Sequence, residues 1–168
     1  MQTQEHHDRR RFIKEAGALL GITVCAASMA AILQSCEKDE SKIVSPTGVF
    51  ELSLSRYTEL RNVGGAVKLI PGNFNNGRPV IVTRIEASTF LCVSSVCNHA
   101  GCEVSAPTMA GENIRCNYED NKCGHGAEFS PVTGLQVIGP GGGTPTGGLT
   151  VIPTTYSTGT SVVYLNFL

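Results

Sequence analysis

Residues 97–102, CNHAGC, decide how the rest of the chain is read. A second fragment, CGHG at 123–126, repeats the Cys-x-His core. The chain has four histidines: His6 and His7 lie near the N-terminus, while His99 and His125 each follow a cysteine by two positions. A soft thiolate beside an imidazole, presented twice from two turns, is a ligand set for iron or zinc. Disulfides, the ordinary use of cysteines outside the cytoplasm, would leave both histidines unexplained.

Outward from these turns the sequence consists of short β-prone runs separated by turn residues. Strands are expected at 66–70, 79–85, 90–94, 113–116, 135–138, 149–152 and 161–167. Pro71-Gly72, Asn75-Asn76-Gly77, Ser130-Pro131 and Thr133-Gly134 punctuate them, each supplying a fixed or positive φ. No stretch sustains a helical period, so the expected fold class is all-β. The glycine-rich run 139–148 (GPGGGTPTGG) is not a phosphate cradle, because such a loop needs a helix N-terminus behind it and here Pro145 and a β-prone run come next. It reads as a surface loop. Cys92 lies within a β-run and reads as a small buried side chain.

The N-terminus has a different character. Residues 1–14 carry Arg9, Arg10, Arg11 and Lys14, and 16–33 is an uncharged stretch of small and apolar residues, the layout of an export signal. DRRRFIK at 8–14 resembles the twin-arginine (Tat) signal, which exports proteins already folded. LQSC at 33–36 resembles a lipobox, which implies lipidation of Cys36. The alternative is an uncleaved anchor, since eighteen apolar residues just span a bilayer. Either way the expectation is a membrane-anchored protein of the cell envelope, on the periplasmic side or at the cell surface. The expected divisions are an export segment at 1–36, a tether and first strand at 37–63, and the domain proper at 64–168. From Cys36 onward there are nine basic against eleven acidic residues, a balance that offers nucleic acid no phosphate-binding surface.

The two turns carry a family resemblance. SSVCNHAGC at 94–102 resembles the first cluster loop of Rieske iron-sulfur proteins, Cys-x-His-x-Gly-Cys, with Cys97, His99, Gly101 and Cys102 all matching. HGAEFSPVTGLQVIGPG at 125–141 resembles the family's second loop from its histidine onward: His-Gly, an aromatic, a Thr-Gly turn, a strand and Gly-Pro. The resemblance implies an antiparallel β-sandwich with two cluster-binding loops. It also implies a two-iron two-sulfur cluster in which two cysteines hold one iron and two histidines the other. The implied ligands are Cys97, His99, Cys116 and His125, with Cys102 and Cys123 as the loop-clamping disulfide.

One departure keeps alternatives open, because the family's second loop reads Cys-x-x-His or Cys-x-Cys-His and position 122 is Lys. Either Cys116 is the ligand and 117–122 an insertion, or Cys123 is the ligand at the tighter spacing and Cys116 takes the disulfide. In a third case the insertion has cost the cluster, and Cys116 pairs with Cys123. Ala127 and Phe129 stand where quinol-oxidising relatives place Ser and Tyr hydroxyls, which implies a lower potential. The expected role is a membrane-tethered electron carrier or subunit of an oxidoreductase, partnered by a redox protein or membrane electron-transfer complex. The alternative is a cluster-free or zinc-bearing Rieske-like lipoprotein acting as a binding or structural module. No nucleophile motif accompanies the histidines, so a stand-alone catalyst is not expected.

Overall fold

A computed structural model describes residues 47–116 and 125–168, which belong to a compact unit running from Ile43 to Leu168. The export and lipidation readings fall on residues outside this described part, as does Cys123. Among the described residues no helix is long and apolar enough to cross a membrane. Among those residues regular structure is ten strands and three short 3₁₀ turns, so the all-β, antiparallel expectation holds.

The strands form three antiparallel sheets. In the first, β1 (Gly48–Ser53), β10 (Val162–Phe167) and β9 (Thr154–Ser157) lie in the order β1-β10-β9. In the second, β2 (Ala66–Leu69), β3 (Val80–Glu86), β4 (Thr89–Ser94) and β8 (Val151–Ile152) keep chain order. The third joins the shortest strands, β5 (Ile114–Arg115), β6 (Glu128–Phe129) and β7 (Gln136–Ile138). β1, which precedes the stretch expected to be the domain proper, pairs with β10 along its whole length, from Gly48 opposite Phe167 to Ser53 opposite Val162.

The hairpin of β3 and β4 is the partition on which the site is built. In a strand successive side chains point to opposite faces. Val80 and Val82 of β3, with Phe90 and Cys92 of β4, therefore enter one core beside Leu52, Leu60, Val163, Leu165 and Phe167. Ile81 and Val93 enter a second core, with Val104, Ile114, Phe129 and Leu149. Because both faces of β3 are covered, the run Val80–Val82 is wholly apolar instead of alternating. Cys97, Cys116 and Ala127 belong to the second core alone. Cys92 faces the first core, fully buried, and burial pushes its thiol far up, which leaves it protonated and inert.

Candidate metal centre

Each loop is closed by its own main chain. In the first, Cys97 N donates to Cys102 O at 2.7 Å and Gly101 N to Cys97 O at 2.9 Å, with Gly101 at φ +69°. A Cβ at Gly101 would meet nothing within 4 Å, so the turn uses glycine for its backbone conformation and not for space. Glu103, the next residue past the loop, is gripped from both sides: by Lys68 of β2 at 3.0 Å and by Arg78 at 3.6 Å. The exit of the first loop then pairs with β5, Ser105 and Arg115 exchanging both main-chain hydrogen bonds.

That pairing delivers the second loop. Cys116 leaves the end of β5, and its N–H donates to Ala127 O at 2.8 Å. Arg115 lies 3.5 Å from Glu128, which also accepts from Asn113 Nδ2 at 2.7 Å, tying the two ends of the loop together. From the far side Gly141 N donates to His125 O at 2.6 Å. The glycine-rich run expected as a surface loop is exposed, but it is also fastened to this histidine.

The result is a convergence of sulfur and nitrogen. One ligand atom from each of Cys97, Cys102, Cys116 and His125 lies within 4.8 Å of the others. Cys102 Sγ is 3.4 Å from Cys116 Sγ, and each of these sulfurs is 3.8 Å from His125 Nε2. His99 stands beside them, its ring edge-on to that of His125 with centroids 4.5 Å apart. All four residues expected to be ligands are therefore neighbours. Cys102, expected only as a disulfide partner, sits among them as well, and its candidate partner Cys123 is outside the described residues.

The electrostatics of the pocket suit a cation. Burial, with Cys97 adding to it, pushes the Cys116 thiol up to about 12, so it stays protonated unless a cation beside it favours the thiolate. The His125 imidazole is held below its ordinary range, first by burial and then by the neighbouring His99, which favours the neutral, ligating form. Its Nδ1 is buried with no hydrogen-bond partner among the described residues. An orphaned buried nitrogen costs about 1–3 kcal/mol and is commonly found where an ion or cofactor belongs.

An antiparallel β-protein whose two loops converge paired thiols and paired imidazoles belongs to the class of β-sheet metal-centre proteins. Residues 65–142 match the family model of the Rieske [2Fe-2S] domain, and the chain thus carries a Rieske domain. Among solved structures, the terminal oxygenase of carbazole 1,9a-dioxygenase from Novosphingobium sp. KA1 is similar at 19% identity and TM-score 0.48. The match covers 75% of this chain and 31% of that one, so this chain spans about a third of its length. A search of the curated proteins found no match. The buried cysteines, the neutral histidine and the orphaned Nδ1 fit a two-iron two-sulfur cofactor.

Proposed function

We propose that this chain is a membrane-tethered one-electron carrier or redox subunit, with a potential below that of quinol-oxidising Rieske proteins. Electron transfer itself follows from the Rieske domain. The observation that carries the finer reading is the polarity of the centre: Cys97 and Cys116 are each 1% exposed, whereas His99 lies at the surface. Bound there, the cluster supplies one-electron redox chemistry. The buried cysteine side keeps water from the sulfurs, and the exposed imidazole edge of His99 gives a partner a short route in.

Cys97 and Cys116 are proposed for one iron, His99 and His125 for the other. What supports Cys116 over Cys123 is its position at the end of β5, hydrogen-bonded to Ala127 and buried beside Cys97. Cys102 and Cys123 are proposed as the clamping disulfide. The low potential rests on Ala127 and Phe129, both fully buried in the second core, neither offering a hydroxyl to a sulfur. The tether rests on Arg9, Arg10 and Cys36, and a redox protein or membrane complex is the proposed partner.

The deciding experiment is electron paramagnetic resonance on the dithionite-reduced, natively exported protein, with iron and sulfide analysis of the same sample. A rhombic signal with average g below two is expected, with about two irons per chain. Absence of iron, or zinc in its place, removes the electron-transfer reading. Mass spectrometry of the mature N-terminus tests the tether: a lipidated Cys36 is expected, and an intact N-terminus would mean an anchor.

A further inference from the structure

Strand β7 has its polarity reversed. Gln136 is 6% exposed, whereas Val137 and Ile138 are 44% and 38% exposed. A buried primary amide is costly wherever its groups go unpaired. Among the described residues, one hydrogen bond engages the side chain: Thr146 N donates to Gln136 Oε1 at 2.8 Å. A main-chain N–H can only donate, so the amide oxygen must face Thr146, and Nε2 is left buried without a partner. An apolar side chain would pack here without that penalty.

What the glutamine holds gives the reason. Its main-chain N donates to Gly147 O at 2.8 Å, so Gln136 grips two successive residues of the glycine-rich strap, one by side chain and one by backbone. Gly147 lies against the first ligand loop: a Cβ there would stand 2.6 Å from Asn98 Nδ2. Asn98 is the residue between Cys97 and His99. Further back along the strap, Gly141 N donates to His125 O at 2.6 Å. The strap therefore touches both histidine-bearing loops, and Gln136 fastens the end that meets the first.

We propose that Gln136 is a positioning residue of the centre, holding the strap against Asn98 and so fixing His99 relative to His125. Its spectroscopic readout rests on the cluster reading above, but the hold itself does not. The test compares wild type with Gln136→Met, which keeps the length and removes the acceptor, and with Gln136→Glu, which restores an acceptor oxygen for Thr146 N. Hydrogen exchange over 143–149, the g-values of the reduced protein, iron content and the denaturation midpoint are measured on each. Gln136→Met is expected to exchange at least tenfold faster over 143–149 and to shift the g-values, with iron content and midpoint at or above wild type. Gln136→Glu is expected to return exchange and g-values toward wild type.

Unchanged exchange in Gln136→Met overturns the proposal. So does faster exchange with g-values unmoved, the outcome of a merely structural role. Should Gln136→Met fold poorly, Gly147→Ala perturbs the same contact while leaving Gln136 in place. A shift in g-values is again expected, smaller because the Asn98 amide is the flexible end of a side chain, and no shift counts against the proposal. Wild type without iron would sink the cluster reading separately. The proposal is then decided by exchange and by the His99–His125 ring contact in nuclear Overhauser spectra, which Gln136→Met should weaken and which, if unchanged, refutes it.

Discussion

The two cores that share the β3–β4 partition are held together differently. The first is filled by apolar side chains: alternating Leu52, Val163 and Leu165, with Phe74 stacked on Phe167 at 4.9 Å and Phe90 tilted against Tyr156 at 5.1 Å. Its outer sheet has strands of six and four residues. The second core leans on a sheet whose strands have two or three residues, and it buries Cys97 and Cys116 with Cys102 against them, where the first has Cys92 alone. It relies on loop hydrogen bonds and the Glu103 and Glu128 ion pairs for its shape. Beside its cysteines stands His125, whose Nδ1 has no partner among the described residues. The first core is a finished structure, and the second is a structure that expects a ligand.

The largest effect that would break this comparison is in the first core. Leu165 is fully buried, and Leu165→Ala should cost about 3 kcal/mol, from lost transfer energy plus the cavity left behind. Urea denaturation should show one cooperative transition moved to lower denaturant, with both cores lost together. If the second core survived while the first melted, the shared partition would not be structural.

Cys116→Ser comes next and should separate the cores. It is expected to abolish the iron signal while far-UV circular dichroism and amide protection in β3 and β10 stay near wild type. Protection should fall around 97–105 and 125–130, because a buried site deprived of its metal keeps its unpaired groups. Cys123→Ser is expected to retain iron with a less stable centre. The reverse result would make Cys123 the ligand.

How far the sequence can be read obeys the same division. Strands of the first core and its partition are legible because alternation and continuous apolar runs persist for several residues, as in Val162–Phe167 and Val80–Glu86. β6, Glu128–Phe129, is too short to hold a period, and β9, TTYS, has no apolar alternation, so neither stands out in the sequence. At the centre, the Cys-x-His spacing points to His99 and His125, while the nearness of Cys102 to Cys116 depends on the pairing of Ser105 with Arg115. The strap reads as a plain surface loop because its fastening runs through main-chain N–H groups and one glutamine. Backbone bonding of that kind leaves no composition signal. Gln136 does leave a trace, a polar residue at an inward position of a β-run, but the direction of β7 is needed to see it.

A subtler contrast concerns Phe129, which closes the second core where quinol-oxidising Rieske proteins carry a hydroxyl. Phe129→Tyr offers the centre one donor, and a donor stabilises the more negative, reduced state. Voltammetry should show a rise of about 59 mV, corresponding to a tenfold change in a one-electron equilibrium. The site is fully buried, so the added oxygen also costs some packing, and the denaturation midpoint should fall slightly. A potential unchanged or lowered would mean that the ring's edge does not reach the centre, and would remove the ground on which a low potential is proposed.

The smallest effect lies at the turn before β5, where Glu112 Oε2 accepts from Thr108 Oγ1 at 2.8 Å, Thr108 N at 2.9 Å and Met109 N at 3.0 Å. The Thr108 hydroxyl, then the two amides, hold its carboxyl below the ordinary range. A carboxyl whose folded pKa is depressed contributes stability that is fully present above its unfolded pKa and lost as pH falls through the folded one. Wild type should therefore lose a small increment of stability on acidification through that window, and Glu112→Gln should lack the increment. The double difference between the two denaturation curves isolates it. Because the turn leads directly into the strand that precedes Cys116, iron retention in Glu112→Gln measured over the same pH range adds a second reading. Retention equal to wild type would confine the clamp to the turn, and faster iron loss would show that even this exposed carboxylate helps hold the second core.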